Sequence, residues 1–356
     1  MSIRQAIRSA APYRFRSHAY RVKLDQNESP YGLPAGLKER VMERLRAAPL
    51  HRYPEIHPRV LQEKIAHHFD WPTTGVVITG GSNVLIRCFV IAAGIGQEVL
   101  VVSPTFPVYA LQAQQLGARL IEIPLRGDFS LPVSELIRAS RQGKGLLLLA
   151  NPAAPTGNFH PREEVEQLIN GLGSNWTVVL DEAYGPFAGS DFRELIRRYP
   201  QVASLRTFSK ALGLAGVRLG FGLMHPELAE QLRKVIMPFS LSALQSAVGE
   251  EVIAAPEYLI ARIAEVRSER ERLYARLQKI AGVEVFPSTT NFLLFRVTDA
   301  AIVHRALLDE KILVRRQDHL PALAGCLRVS VGTPEENDLF LQILSAVLNP
   351  EAANHG

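Results

Sequence analysis

The sequence predicts an α/β protein: a large, mostly parallel sheet buried under helices on both faces, then a smaller α+β domain. Three observations carry this expectation. Short, near-continuous apolar runs recur between residues 76 and 222, as strands covered on both faces require. Segments of helical spacing alternate with them, the pattern of βα units. From about Pro256 the texture changes to a long charged helix and then to short strands and helices.

Taken in order, the chain opens with Arg4, Arg8, Arg14, Arg16, Arg21 and Lys23 before Gln26, against one acid, Asp25. Transit peptides share that composition, but motif-like residues begin by Tyr13, which favours a basic arm lying on the protein or on a partner subunit. Asp25 to Pro34 is polar and turn-rich, hence a loop. Leu37 to Leu45 has helical spacing, Arg52-Tyr53-Pro54 is a turn, and Pro58 to Phe69 is a helix; nothing so far reads as buried sheet.

Val76-Val77-Ile78-Thr79 is a strand, followed by Gly80-Gly81-Ser82-Asn83 and a helix opening at Val84. Strand, glycine turn and helix start together make an anion site, because unpaired backbone N–H groups point at the ligand. Val99 to Val102 is a strand that ends at Ser103-Pro104-Thr105-Phe106-Pro107, with a helix through Gln115. Leu120 to Ile123 and Gly145 to Ala150 are strands, the second leading into the rigid turn Asn151-Pro-Ala-Ala-Pro-Thr-Gly157. Glu163 to Asn170 is a helix, and Thr177 to Leu180 a buried strand ending in Asp181-Glu182-Ala183-Tyr184. Val202 to Leu205 and Leu219 to Gly222 are strands. Leu259 to Ile280 reads as a solvated linking helix. Strands at Val283 to Phe286, Phe292 to Val297, Ile312 to Val314 and Leu327 to Val331, with helices at Ala300 to Asp309 and Glu335 to Leu348, make the small α+β domain.

Composition narrows the function classes. The net charge of +5 suits anionic small molecules, and without a basic run or nucleic-acid motif the sequence points away from nucleic acid. No apolar run reaches membrane-spanning length. Cys88 and Cys326 lie far apart in apolar contexts and read as buried thiols of a reducing, cytoplasmic compartment, with no metal site expected.

Chemistry concentrates between Thr207 and Arg218, the stretch Thr-Phe-Ser-Lys-Ala-Leu-Gly-Leu-Ala-Gly-Val-Arg. Among apolar neighbours the Lys210 amine loses its proton readily and can attack a carbonyl. Arg218 offers a planar fork for a phosphate, and Thr207 and Ser209 offer small hydrogen-bonding groups. An amine for an imine beside donors for a phosphate describes a pyridoxal phosphate anchor. Such an anchor demands an acid for the pyridine nitrogen, a flat group for the ring and further phosphate donors. Asp181, at the end of a buried strand, answers the first, since a buried acid is costly unless paired. Tyr184 could hydrogen-bond the ring hydroxyl, Phe106 is a flat ring at a strand end, and Gly81, Ser82 and Asn83 supply the donors. Ligands of such sheets bind beyond the carboxyl ends of the strands, where all these residues lie.

These residues carry a resemblance. From Tyr13 to about Leu348 the chain resembles fold type I pyridoxal-phosphate enzymes of the class I/II aminotransferases, most of all the shorter histidinol-phosphate aminotransferases. The motifs are Arg52-Tyr53-Pro54, Asp181-Glu-Ala-Tyr184, Thr207-Phe-Ser-Lys210 with Arg218, and Leu327-Arg-Val-Ser-Val-Gly-Thr-Pro-Glu-Glu336-Asn337. The resemblance implies a large domain with a mostly parallel seven-stranded sheet (residues 41–250). It implies a C-terminal small domain (251–356), with residues 1–40 as an arm and part of that domain. By position it implies that Lys210 holds pyridoxal 5'-phosphate as an imine and shuttles a proton. Asp181 would bind the pyridine nitrogen, Tyr184 the ring hydroxyl, and Phe106 would stack on the ring. Thr207, Ser209, Arg218 and the turn at Gly81, Ser82 and Asn83 would bind the phosphate. Tyr53 would reach that phosphate from the neighbouring subunit of a homodimer with shared active sites. Arg328 would bind the carboxylate of glutamate, and Tyr13, Asn27 and Arg315 would line the substrate pocket.

The sequence departs from that family at three places. Ala154 stands where asparagine usually precedes Pro-Thr-Gly, Ser82-Asn83-Val84 replaces a turn with two acids, and Pro238-Phe239-Ser240 replaces Pro-Phe-Asn. The leading expectation is amino transfer between histidinol phosphate and 2-oxoglutarate. Aromatic or broad-specificity transamination and a phosphothreonine-type decarboxylase share the scaffold; a decarboxylase needs no 2-oxo acid and releases carbon dioxide. A cofactor-binding paralogue without turnover is the reading from another class, with Ala154 as the feature that favours it.

Overall fold

The computed structural model describes residues 2–10, 12, 18–141, 143–189 and 191–349. Tyr13, expected in the substrate pocket, lies outside the described residues. The seven-stranded sheet consists of β2 (Val76–Thr79), β3 (Glu98–Ser103), β4 (Arg119–Pro124), β5 (Gly145–Ala150), β6 (Trp176–Asp181), β7 (Val202–Thr207) and β8 (Gly220–Met224). Their spatial order is β2-β8-β7-β6-β5-β3-β4. β8 runs antiparallel to both its neighbours, and the other pairings are parallel.

The apolar runs explain why this sheet is covered on both faces. Along β3, Leu100 and Val102 point into one core cluster, while Val99 and Val101 point into a second. Along β5, Leu147 and Leu149 divide from Leu146 and Leu148 in the same way. With a two-residue side-chain period, a continuous apolar run feeds two cores and needs helices above and below.

The reversed strand matters for the site. Because β8 is antiparallel, its beginning lies at the edge where β2 and β7 end: Thr79 and Thr207 both pair with Gly220. Arg218, just before β8, therefore reaches the carboxyl edge of the sheet. A Cβ at Gly220 would sit 2.3 Å from the backbone nitrogen of Ser82. Only glycine lets the helix Ser82–Ala93 begin so close to the strand.

The second part of the fold is an antiparallel sheet of β12 (Arg315–Arg316), β13 (Cys326–Ser330), β10 (Phe292–Arg296) and β9 (Glu284–Val285). A separate parallel pair joins β1 (Val22–Lys23) to β11 (Ile312–Leu313). This pair corrects the expectation of no buried sheet before Phe69. Val22 is buried and Leu24 packs in the same cluster as Phe295 and Phe340. A two-residue strand whose partner lies so far along the chain leaves no period to read.

Two further readings change. The helix Pro256–Leu277 is not wholly solvated: Val266, Leu273 and Leu277 are buried on one face, and so are Glu269 and Arg270. Glu269 accepts from Arg272 and from Asn337 Nδ2 at 2.8 Å, and Arg270 donates to the Thr290 carbonyl at 3.0 Å. The helix docks on the smaller sheet, and its inward charges are met by Arg272 of the same helix, by Asn337 and by the Thr290 carbonyl. At the other end, Arg4 donates to the Gln115 carbonyl at 3.1 Å. Both cysteines are buried, and burial pushes the Cys88 thiol up to about 11. No helix among the described residues is long and apolar enough to cross a membrane, and no cluster of metal-ligating side chains occurs among them.

Candidate active site

A cavity of about 510 Å³ opens at the carboxyl edge of the large sheet. β6 ends at Asp181, β7 at Thr207, and the helix Ser82–Ala93 starts beside them, so strand ends deliver the polar groups and the apolar strands hold them rigid. Ser82, Asn83, Thr207, Ser209 and Arg218 line one end of the described wall, and Asp181, Tyr184, Phe106 and Lys210 line the middle. Asn27, Arg315 and Arg328 line it as well. The structure thus gathers in one space residues that the sequence scatters over about three hundred positions.

Lys210 Nζ donates to the backbone carbonyl of Gln26 at 2.8 Å and lies 5.8 Å from the centre of the Tyr184 ring. Burial lowers its pKa to about 7, helped by the nearby Arg328 guanidinium and opposed by Glu28. Asp181 is buried, and burial raises its pKa; the phenol of Tyr109, at 2.8 Å, and the Ala183 N–H, at 3.1 Å, pull the other way by stabilising the carboxylate. Tyr184 receives a hydrogen bond from Asn27 Nδ2 at 2.8 Å, and burial raises its pKa. Phe106 stands edge-on to Tyr109, with ring centres 5.6 Å apart.

At the other end, Arg218 Nη1 donates to Ser209 Oγ at 3.2 Å and to the Ala215 carbonyl at 3.0 Å. The Ser209 N–H donates to Thr207 Oγ1 at 3.1 Å, which folds the turn inward. Gly81 has φ of 105°, and a Cβ there would come 2.9 Å from Arg218 Nη2. This glycine is the cradle into which the guanidinium fits. Arg328 Nη2 donates to the Asp25 carbonyl at 2.9 Å, and the register of β12 and β13 sets Arg315 directly opposite Arg328. Tyr53 is different: 84% exposed, it packs on Phe239 with ring centres 4.9 Å apart and does not line its own chain's cavity.

Sequence reasoning missed Tyr109 and Gln26. Tyr109 left a faint signal, three residues after Phe106 at the start of the helix Val108–Leu116. Gln26 acts through its carbonyl, so its side chain gave none.

The family model for aminotransferase class I and II matches residues 21–344. The chain belongs to the class I and II aminotransferases. It is 46% identical to the histidinol-phosphate aminotransferase of Deinococcus radiodurans over 97% of this chain and 96% of that one. It is 36% identical to the histidinol-phosphate aminotransferase of Thermococcus kodakarensis, over 96% and 97%. The solved histidinol-phosphate aminotransferase of Sinorhizobium meliloti, in complex with pyridoxal-5'-phosphate, superposes with a TM-score of 0.89 at 24% identity, covering 98% of both chains. The L-threonine-O-3-phosphate decarboxylase of Porphyromonas gingivalis reaches 0.81 at 21% identity over 92% of this chain and 99% of that one. At those identities the structures establish a shared fold, as expected for a fold type I enzyme.

The donor set of this aminotransferase fits pyridoxal 5'-phosphate. One cavity holds a buried amine, a carboxylate held ready by two donors, and a cradle of backbone N–H groups, hydroxyl and guanidinium where glycine leaves room. Lysine, aspartate and arginine would each find in that molecule the partner their chemistry needs.

Proposed function

We propose that this aminotransferase moves an amino group between histidinol phosphate and 2-oxoglutarate, using pyridoxal phosphate held on Lys210. The 46% identity to the Deinococcus radiodurans histidinol-phosphate aminotransferase carries the choice of substrate. The gathering of Lys210, Asp181 and Arg218 in one cavity supports the chemistry.

When bound, pyridoxal phosphate supplies an aldehyde that captures the substrate amine and a pyridine ring that draws electrons from the carbon being deprotonated. Lys210 Nζ, with its pKa near 7, is neutral often enough at physiological pH to take a proton from the substrate α-carbon and return it. Asp181 would hold the proton on the pyridine nitrogen; Tyr109 and Ala183 favour its ionised form. Tyr184 would donate to the ring hydroxyl, and Phe106 would lie against the ring. Gly81, Ser82 and Asn83 at the helix start, with Thr207, Ser209 and Arg218, would bind the cofactor phosphate.

Arg328 would hold the carboxylate of glutamate, and Arg315 beside it would favour a substrate carrying a phosphate. Asn27 would line the substrate side, as would Tyr13. The exposed Tyr53 would reach the phosphate of a second subunit, which makes the working unit a homodimer. The chain would divide into a large domain, residues 41–250, and a small domain, 251–356, completed by residues 1–40. The buried thiols of Cys88 and Cys326 support a cytoplasmic location.

The test is the visible absorbance of the purified enzyme with pyridoxal phosphate. Glutamate should bleach the band, and 2-oxoglutarate should restore it. Histidinol phosphate should bleach it at far lower concentration than phenylalanine or tyrosine. Equal potency of the three amines would refute the substrate assignment. Release of carbon dioxide without need of a 2-oxo acid would replace the reaction with decarboxylation.

A further inference from the structure

We propose that Asn27 is a positioning residue that commits the Tyr184 phenol to donate its proton into the cavity, towards the ring oxygen of pyridoxal phosphate. The cofactor contact rests on the function proposed above; the direction of the hydrogen bonds rests on geometry alone. The chain of bonds begins at a donor that cannot reverse. The backbone N–H of Asn27 donates to Ser330 Oγ at 2.8 Å. A hydroxyl has one hydrogen, and that of Ser330 points to Asn27 Oδ1 at 3.3 Å. With its oxygen so engaged, the Asn27 amide presents Nδ2 to Tyr184 and donates at 2.8 Å. The phenol oxygen therefore accepts on this side, and its single hydrogen is left for the cavity.

Asn27 has little freedom to break this order. It is 1% exposed, its φ is 53°, and its own carbonyl accepts from Asn291 Nδ2 at 3.0 Å. Ser330 and Asn291 belong to the small antiparallel sheet and the turn before it, whereas Tyr184 follows β6 of the large sheet. Asn27 thus ties the donor direction of a large-sheet phenol to groups on the small sheet. The charged and titratable groups that face Tyr184 are the Lys210 amine over its ring, Arg328, Asp181 and the Tyr109 phenol bonded to Asp181; Phe292 packs against it edge-on at 5.2 Å. Ala154, on the wall of the same cavity, offers only a methyl group, which leaves the task of donation to Tyr184.

Asn27→Asp tests this, because the substituted side chain keeps its shape but can only accept when ionised. The phenol would then turn its hydrogen towards the new carboxylate. In the holoenzyme, the pH midpoint of the cofactor's visible absorbance should rise by about one unit, a tenfold change in proton affinity. In a Tyr184→Phe background the same substitution should move the midpoint by less than about a third of that. An equal shift in both backgrounds would mean that the new charge acts directly on the cofactor, and would overturn the inference; so would no shift in either. Ser330→Ala is the second variant, expected to raise the midpoint in the same direction by releasing the amide.

The hydrogen bond is also read without cofactor. Thermal unfolding of the cofactor-free single and double variants of Asn27→Ala and Tyr184→Phe should show coupling between the two positions, and strict additivity overturns the inference. A parent protein that develops no visible band with pyridoxal phosphate overturns the proposed function and the cofactor contact. A parent with a band whose midpoint ignores Asn27 and Ser330 overturns only the inference.

Discussion

Lys210 is held at a cost to the fold, and removing it should stabilise the cofactor-free protein in a pH-dependent way. Burial lowers the amine from 10.5 to about 7. Between those values the unfolded chain holds a proton that the folded chain does not, so stability rises with pH across that window. Above 10.5 both states are neutral and the cost vanishes; below 7 both are protonated and the full cost of about 5 kcal/mol applies. At about pH 6.5 nearly the whole of that cost applies, and at about pH 9.5 most of it has gone. Lys210→Met removes this contribution, together with about 1 kcal/mol from the hydrogen bond to the Gln26 carbonyl. Urea denaturation of parent and variant at the two pH values should therefore give a stability difference about 3 kcal/mol more in favour of the variant at the lower pH. A difference that stays flat, or grows with pH, would refute the claim that the amine is neutralised by burial.

Three other outcomes test the site. Gly81→Ala places a Cβ 2.9 Å from Arg218 Nη2 on a backbone with φ of 105°; strain of about 1–3 kcal/mol should weaken pyridoxal phosphate retention at least about tenfold in a dialysis assay. Arg328→Lys replaces a planar fork by a point charge, and the KM for glutamate should rise by about ten- to a hundredfold in steady-state kinetics, with kcat changing less. Mixing inactive Lys210→Ala with weakened Tyr53→Ala should recover activity in mixed dimers once subunits exchange; no recovery would count against a shared site.

The legible part of the fold and site has a common cause. Lys210, Asp181, Tyr184 and Arg218 each stand at or near a strand end inside a short stretch, where chain neighbours alone reveal an apolar strand giving way to polar groups. What could not be read depends on pairs far apart in sequence. Tyr109 meets Asp181 across 72 positions, Asn27 meets Tyr184 across 157, and Gln26 meets Lys210 across 184. Local periodicity carries no such information. The helix Ala243–Ile253 was readable in principle: Ser242 and Gln245 form a capping box, with each side chain bonded to the other's backbone. The helix Pro226–Arg233 also announces itself by a proline at its first position. β12, with two residues, is too short to show a period, yet it is what sets Arg315 opposite Arg328.

The early loop that spans the site has a consequence for the order in which the protein is made. β1 pairs with β11, Asn27 is held by Ser330 and Asn291 as well as by Tyr184, and the Ser330 N–H bonds to the carbonyl of Leu24. A ribosome releases Asn27 early, but its partners Asn291 and Ser330 follow 264 and 303 residues later. The large sheet, whose strands all lie between residues 76 and 224, can assemble in the meantime. Lys210 and Tyr184 are then in place without the loop that holds them from the other side. The wall of the candidate cavity that this loop forms is therefore completed only once Ser330 has emerged. A nascent chain stopped before Ile312 would carry the Lys210 amine and an Asp181 carboxylate already held by Tyr109 and Ala183, but lack the Ser330 contact that fixes Asn27.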